Sequence, residues 1–269
     1  MEPIFILVLI ACGLLAGFMS GLLGVGGGFI FAPAIYFVLQ KSGVPDDIAI
    51  LVAFGTSLAA AFPTVLTSAI GHTKKGNVIW RDAVIMGLCG MITGFIGGTV
   101  ATYLPARVLT IMFGLMLIIG AIRLVSSLPS GKGEKMSTML AGGIGGITGF
   151  MSGLLGVGGG TILVPLMVLL GKFSMKKATA TSAAVIIFIT VGGILSYLVN
   201  GLSAGADLSA YGFYLIGYID IIMWVILVLT AIPMAILAVR VCCRVPDVWL
   251  RRIFFVLMMI IALKMLFAG

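Results

Sequence analysis

Twelve residues, Gly-Phe-Met-Ser-Gly-Leu-Leu-Gly-Val-Gly-Gly-Gly, occur at Gly17–Gly28 and again unchanged at Gly149–Gly160. Each copy ends in three consecutive glycines, Gly26, Gly27 and Gly28 or Gly158, Gly159 and Gly160, followed by a short apolar segment. If that segment is helical, its N-terminus presents unpaired amides and roughly half a positive charge, which together make an anion site. Glycine also lets the backbone approach a ligand closely and take positive φ. Thr161, just past the second triplet, adds a hydroxyl donor. Two such ends facing one another could hold a small anion without a buried Lys or Arg.

Magnitudes limit that idea. A helix end contributes up to about 2 kcal/mol in a partly buried site, whereas stripping an anion of water costs tens of kcal/mol in the Born limit. Several charge-assisted hydrogen bonds, each worth about 1.5–3 kcal/mol, must assist. The nearest polar candidates are Ser20, Ser57, Ser152, Thr161 and Ser182. The candidate binding set is therefore Gly26, Gly27, Gly28, Ser57, Gly158, Gly159, Gly160, Thr161 and Ser182.

Blander readings stand beside this one. Gly13, Gly17 and Gly21 are spaced by four, as are Gly145, Gly149 and Gly153, which suits close helix packing. Thr56-Ser57 and Thr181-Ser182 either line a site or bond carbonyls of their own helices. His72, beside Lys74 and Lys75, reads as an interfacial loop residue rather than a proton relay, and Asp220 as a snorkelling carboxylate rather than a coupling group. The repeated Gly-Phe-Met-Ser-Gly is not a Gly-x-Ser-x-Gly elbow, and neither His-Glu-x-x-His nor a complete nucleotide-binding glycine fingerprint occurs, so no catalytic residue is assigned. One His among scattered cysteines makes no metal site, and no cofactor is expected.

The elements that must position these residues lie in a membrane. The chain has 269 residues, 61% hydrophobic and 9% charged, against about 25% charged in a soluble domain. Its net charge of +8 is a matter of membrane topology rather than nucleic-acid binding. Two charge-free runs, Pro3–Gln40 and Ser137–Gly171, would be about 55 Å long as straight helices, against a hydrocarbon core of roughly 30 Å. The glycines break each into one long and one short segment. Further apolar runs span Ile48–Ile70, Ala83–Tyr103, Val108–Leu128, Ala178–Val199, Ile219–Val239 and Ile253–Phe267. The first run is not read as a signal peptide, because it lacks a basic leader and its motif recurs mid-chain.

If each broken element folds back as a V, the basic loops His72–Arg81, Arg123–Lys135, Lys172–Lys177 and Arg240–Arg252 all fall on the inner side. A single crossing would put Lys172, Lys176 and Lys177 outside instead. The V predicts two inverted repeats, 1–128 and 137–269, each a glycine-broken helix pair followed by three spans. The expected fold is an all-α polytopic membrane protein of about ten membrane segments. Thr56-Ser57 matches Thr181-Ser182, Gly76 matches Gly217, and Leu104-Pro105 matches Val245-Pro246. An insertion near Asn200–Ile216 carries Tyr211, Phe213 and Tyr214, which suit an interfacial aromatic belt.

The paired Gly-Leu-Leu-Gly-Val-Gly-Gly-Gly motifs closing on Pro33 and Pro165, with Gly55-Thr56-Ser57, Gly71-His72 to Gly76-Asn77-Val78, and Ala180-Thr181-Ser182, resemble the TauE/SafE family of sulfite and organosulfur anion permeases. The resemblance covers essentially the whole chain. It implies a bacterial or archaeal inner-membrane transporter for sulfite, sulfonates or related oxyanions. The family's Asn-Val-Asp-Trp is Asn77-Val78-Ile79-Trp80 in the first half, while the second has Tyr218-Ile219-Asp220-Ile221. The expected function is a secondary carrier with a small anionic substrate. A passive channel for small neutral or weakly acidic solutes is the alternative, and a scaffold without transport a third. The expected partners are the substrate and the lipid bilayer, not nucleic acid, and homo-oligomerisation is left open.

Overall fold

A computed structural model describes residues 3–125, 136–241 and 247–267. The first half supplies α1 (Pro3–Leu23), α2 (Gly28–Lys41), α3 (Asp46–Lys74), α4 (Trp80–Ala101) and α5 (Ala106–Val125). The second supplies α6 (Thr138–Leu155), α7 (Gly160–Leu169), α8 (Met175–Ser203), α9 (Ile221–Val241) and α10 (Asp247–Phe267). Six of these, α1, α3, α4, α6, α8 and α9, are long and apolar enough to cross a membrane. The 14 residues of α2 and 10 of α7 are not, reaching only about 21 and 15 Å. The basic segments 126–135 and 242–246, with Cys242, Cys243 and Val245-Pro246, lie outside the described residues.

Local chemistry sets the helix ends. Ser137 and Ser174 cap α6 and α8, accepting from the Leu140 and Lys177 amides at 3.3 and 3.5 Å. Asp46 and Asp47 occupy the first turn of α3 and Lys74 its last, complementing the helix dipole.

Among lipid tails there is little hydrophobic gain in bringing helices together, so close van der Waals approach has to hold them. The four-spaced glycines provide it. A Cβ on Gly17 would strike the backbone of Ala231 in α9, and one on Gly149 the backbone of Gly90 in α4. Gly21 meets Ala235, and Gly153 meets Gly94. Both registers ascend together, so α1 runs parallel to α9, and α6 to α4. Gly55 lies against Tyr197 and Gly193 against Leu58, so α3 and α8 cross antiparallel. Helices α1, α3 and α9 pack together, as do α4, α6 and α8, and α3 against α8 joins the two groups. Each group mixes helices from both halves of the sequence.

The insertion departs from the expected aromatic belt. It forms a 3-10 turn (Ser209–Tyr211) and a hairpin of β1 (Leu215–Ile216) and β2 (Ile219–Asp220). Tyr211 and Tyr214 are exposed as expected, but Phe213 is buried in the core. The hairpin turns that ring inward, a consequence that composition alone does not carry.

Candidate functional site

Each long charge-free run breaks where its glycines permit left-handed backbone. Helix α1 ends with the Gly24 amide on the Ser20 carbonyl, and α6 with the Gly156 amide on the Ser152 carbonyl, both at 2.8 Å. Gly24 and Gly156 have φ of 62° and 65°, Gly26 and Gly158 of 88° and 82°. Gly27 and Gly159 then form the N-caps of α2 and α7 with φ of 73° and 79°. An L side chain tolerates such angles poorly, which explains the glycine runs.

The two breaks touch. A Cβ on Gly28 would meet the Val157 carbonyl, and one on Gly160 would meet Val25. Ile186 of α8 faces both Gly26 and Gly158. The structure thus brings all six triplet glycines into one buried region. Helices α2 and α3 run antiparallel there, since Gly28 faces Ser57 while Tyr36 reaches Asp46.

Long helices from each half hold the break of the other. The Ser57 hydroxyl donates to the carbonyls of Gly156 at 2.8 Å and Gly28 at 3.1 Å. The Ser182 hydroxyl donates to the carbonyls of Gly24 at 2.9 Å and Thr179 at 2.8 Å. One residue earlier, Thr56 accepts from the Asp220 amide at 2.9 Å, and Thr181 from the Ile79 amide at 3.1 Å. His72 Nε2 lies 3.2 Å from the Gly21 carbonyl, so this nitrogen carries the proton, and the Tyr197 hydroxyl donates to Gly153 at 3.0 Å. Ser57 and Ser182 are therefore tied to the glycine loops as braces, and neither Thr56 nor Thr181 is a purely intrahelical bonder.

Two readings need correcting. His72 is no loop residue: it lies buried in the last turn of α3. Asp220 does not snorkel. It is fully buried and caps α9, accepting from the Met223 amide at 2.7 Å and the Tyr214 amide at 3.1 Å. It stands where the other half has Ile79, so the acidic position acts here as a helix cap.

Four buried hydroxyls near the breaks have no hydrogen-bond partner among the described residues: Ser20, Thr148, Ser152 and Thr161. Ser20 and Ser152 are equivalent positions in the duplicated segment. Thr148 and Ser152 share a face of α6, and both pack on the position a Gly159 side chain would take. Thr148 was not legible by repeat logic, because its counterpart is Ala16. Thr161 points instead toward Gly120 of α5, where it lines an apolar cavity of about 460 Å³. The enclosed space beside Gly160, Thr161 and Thr179 is about 20 Å³, room for one water. The buried Asp82 in the first turn of α4 was also missed; it accepts from the Met136 amide at 3.2 Å.

Buried backbone breaks inside a bundle of apolar helices define a multi-pass membrane protein that opens its interior to polar contacts. The chain belongs to the sulfite exporter TauE/SafE family, whose profile matches residues 9–265. It is similar to a probable membrane transporter protein of Methanocaldococcus jannaschii, 31% identical over 249 residues covering 91% of this chain and 89% of that one. A probable membrane transporter protein of Haemophilus influenzae is 33% identical over 199 residues, 73% of this chain and 75% of its own. The Bacillus subtilis protein YunE, also named a probable membrane transporter, is 27% identical over 214 residues, 72% of this chain and 78% of its own. The homologues' names fit a transporter rather than an enzyme.

Proposed function

We propose that this chain is a secondary carrier for small oxyanions such as sulfite or short sulfonates, bound between the two glycine breaks. The observation that carries the reading is the set of buried, unpartnered hydroxyls, Ser20, Thr148 and Ser152, beside the N-termini of α2 and α7. A buried hydroxyl without a partner costs roughly 1–3 kcal/mol. An arriving oxyanion offers lone pairs that relieve this cost, and its charge faces two helix N-termini. Gly26, Gly27, Gly28, Gly158, Gly159 and Gly160 give it backbone access, and Ser57 and Ser182 hold the loops in register. Thr161, aimed toward α5, serves an approach route on that side.

The halves 1–128 and 137–269 are proposed to be inverted repeats. Reciprocal bonding of equivalent residues and the antiparallel crossing of α3 and α8 support that relation. The moving bodies are not the halves themselves. Pulling one half from the other would separate α1 from α9 and α6 from α4, both held by glycines at backbone contact. Alternating access instead rocks the α1–α3–α9 group against the α4–α6–α8 group, with the glycine breaks as the joint. The breaks are in mutual contact in this structure, through Gly28 on Val157 and Gly160 on Val25.

The test is flux in proteoliposomes loaded with unlabelled sulfite, a short sulfonate or chloride. A carrier gives saturable uptake of labelled oxyanion, stimulated by the same anion on the far side. Non-saturable flux of many solutes without counter-stimulation would make the protein a pore.

A further inference from the structure

The ends of α3 and α9 enclose a cleft that the transport reading does not use. Gly71 packs so closely on Val239 that a Cβ would strike its side chain, and beside this contact the surfaces leave a cavity of about 430 Å³. Its walls are chemically divided. Lys74, Lys75 and Arg240 contribute positive charge at the helix ends, and no acidic side chain among the described residues lines it. One turn deeper, Ile70 and Ile236 stand 50% and 42% exposed.

Lys75 Nζ donates to the Val239 carbonyl and so satisfies the end of α9. Helix capping thus accounts for Lys75 and leaves Lys74 and Arg240, both exposed, without that explanation. A freely dissolved anion would use the basic rim and gain nothing from the two isoleucines. A molecule with a negative head and an apolar tail uses both. The position, at the ends of two membrane-crossing helices, is where lipid headgroups lie.

We infer that this cleft binds an anionic phospholipid, its phosphate between Lys74 and Arg240 and an acyl chain along Ile70 and Ile236. The inference is independent of the transported substrate. Because α3 and α9 belong to one helix group, the lipid would anchor that group at one membrane face.

Native mass spectrometry of the full chain in neutral detergent, titrated with phosphatidylglycerol or phosphatidylcholine, tests it. Wild-type protein retains one phosphatidylglycerol in preference to phosphatidylcholine. The Lys74→Gln, Arg240→Gln pair retains it roughly 30-fold more weakly, at about 1 kcal/mol for each basic residue near the surface. Lys74→Arg keeps retention, and phosphatidylglycerol raises the melting temperature of wild type but not of the double variant. Equal retention of the two lipids, unchanged retention in the double variant, or displacement by equimolar glycerol phosphate would overturn the assignment.

Discussion

The Ser57 hydroxyl lies 2.8 Å from the carbonyl oxygen of Gly156, so a helix of the first half closes the glycine break of the second. Ser182 repeats the arrangement in the other direction at 2.9 Å from Gly24. Both hydroxyls are buried, and each satisfies a carbonyl that a left-handed turn leaves outside its helix ladder. Ser57→Ala and Ser182→Ala are expected to cost about 1–3 kcal/mol each, the price of an unsatisfied buried group. Thermal unfolding in detergent checks the loss, and flux should fall with it. Unchanged melting in both variants would show that the braces hold nothing.

Gly159 has φ of 79° and faces Thr148 and Ser152. Gly159→Val meets both a forbidden backbone region and the side-chain carbons of Thr148 and Ser152, so transport should be abolished in protein that still inserts. Gly43 supplies the control: its φ is 83°, with nothing within 4 Å of an added Cβ. Gly43→Ala carries only the left-handed strain, roughly 1–2 kcal/mol, and should keep its flux. Equal damage from the two substitutions would mean that backbone strain, and not the site, sets activity.

Gly17 and Gly149 hold α1 on α9 and α6 on α4 at backbone contact. Gly17→Leu or Gly149→Leu should therefore reduce the yield of folded protein sharply, since any larger side chain pushes the paired helices apart. Gly143, with open space around it, should accept Leu without loss of monodisperse protein. Size-exclusion profiles of the three variants decide the matter.

Thr148→Val and Ser152→Ala separate stability from function. Each removes a buried hydroxyl that lacks a partner, so melting should stay level or rise by about 1 kcal/mol equivalent. A charge-assisted bond to substrate is worth about 1.5–3 kcal/mol, so the KM for the oxyanion should rise roughly tenfold to a hundredfold. A lower melting temperature with unchanged KM would assign these hydroxyls to packing.

Much of this architecture was legible in residue types alone. Charge-free runs too long for one span, each holding three consecutive glycines, required two breaks, and the four-spaced glycines required close helix contacts. What stayed hidden depends on distance in space. Repeat logic placed Ser57 and Ser182 near the breaks but could not show each reaching across to the other half. It passed over Thr148 because the equivalent residue is Ala16. His72 sits beside two lysines in sequence, which reads as a loop, yet one more turn of α3 carries it under Gly21. Phe213 and Asp220 are buried by a hairpin whose short strands have no periodicity to detect.

A substrate path between the glycine breaks is decided by counterflow of labelled sulfite into proteoliposomes bearing wild type, Gly159→Val or Gly43→Ala. Wild type and Gly43→Ala should show saturable, counter-stimulated uptake, and folded Gly159→Val none above empty liposomes. Undiminished counterflow in folded Gly159→Val would contradict a substrate path between the glycine breaks.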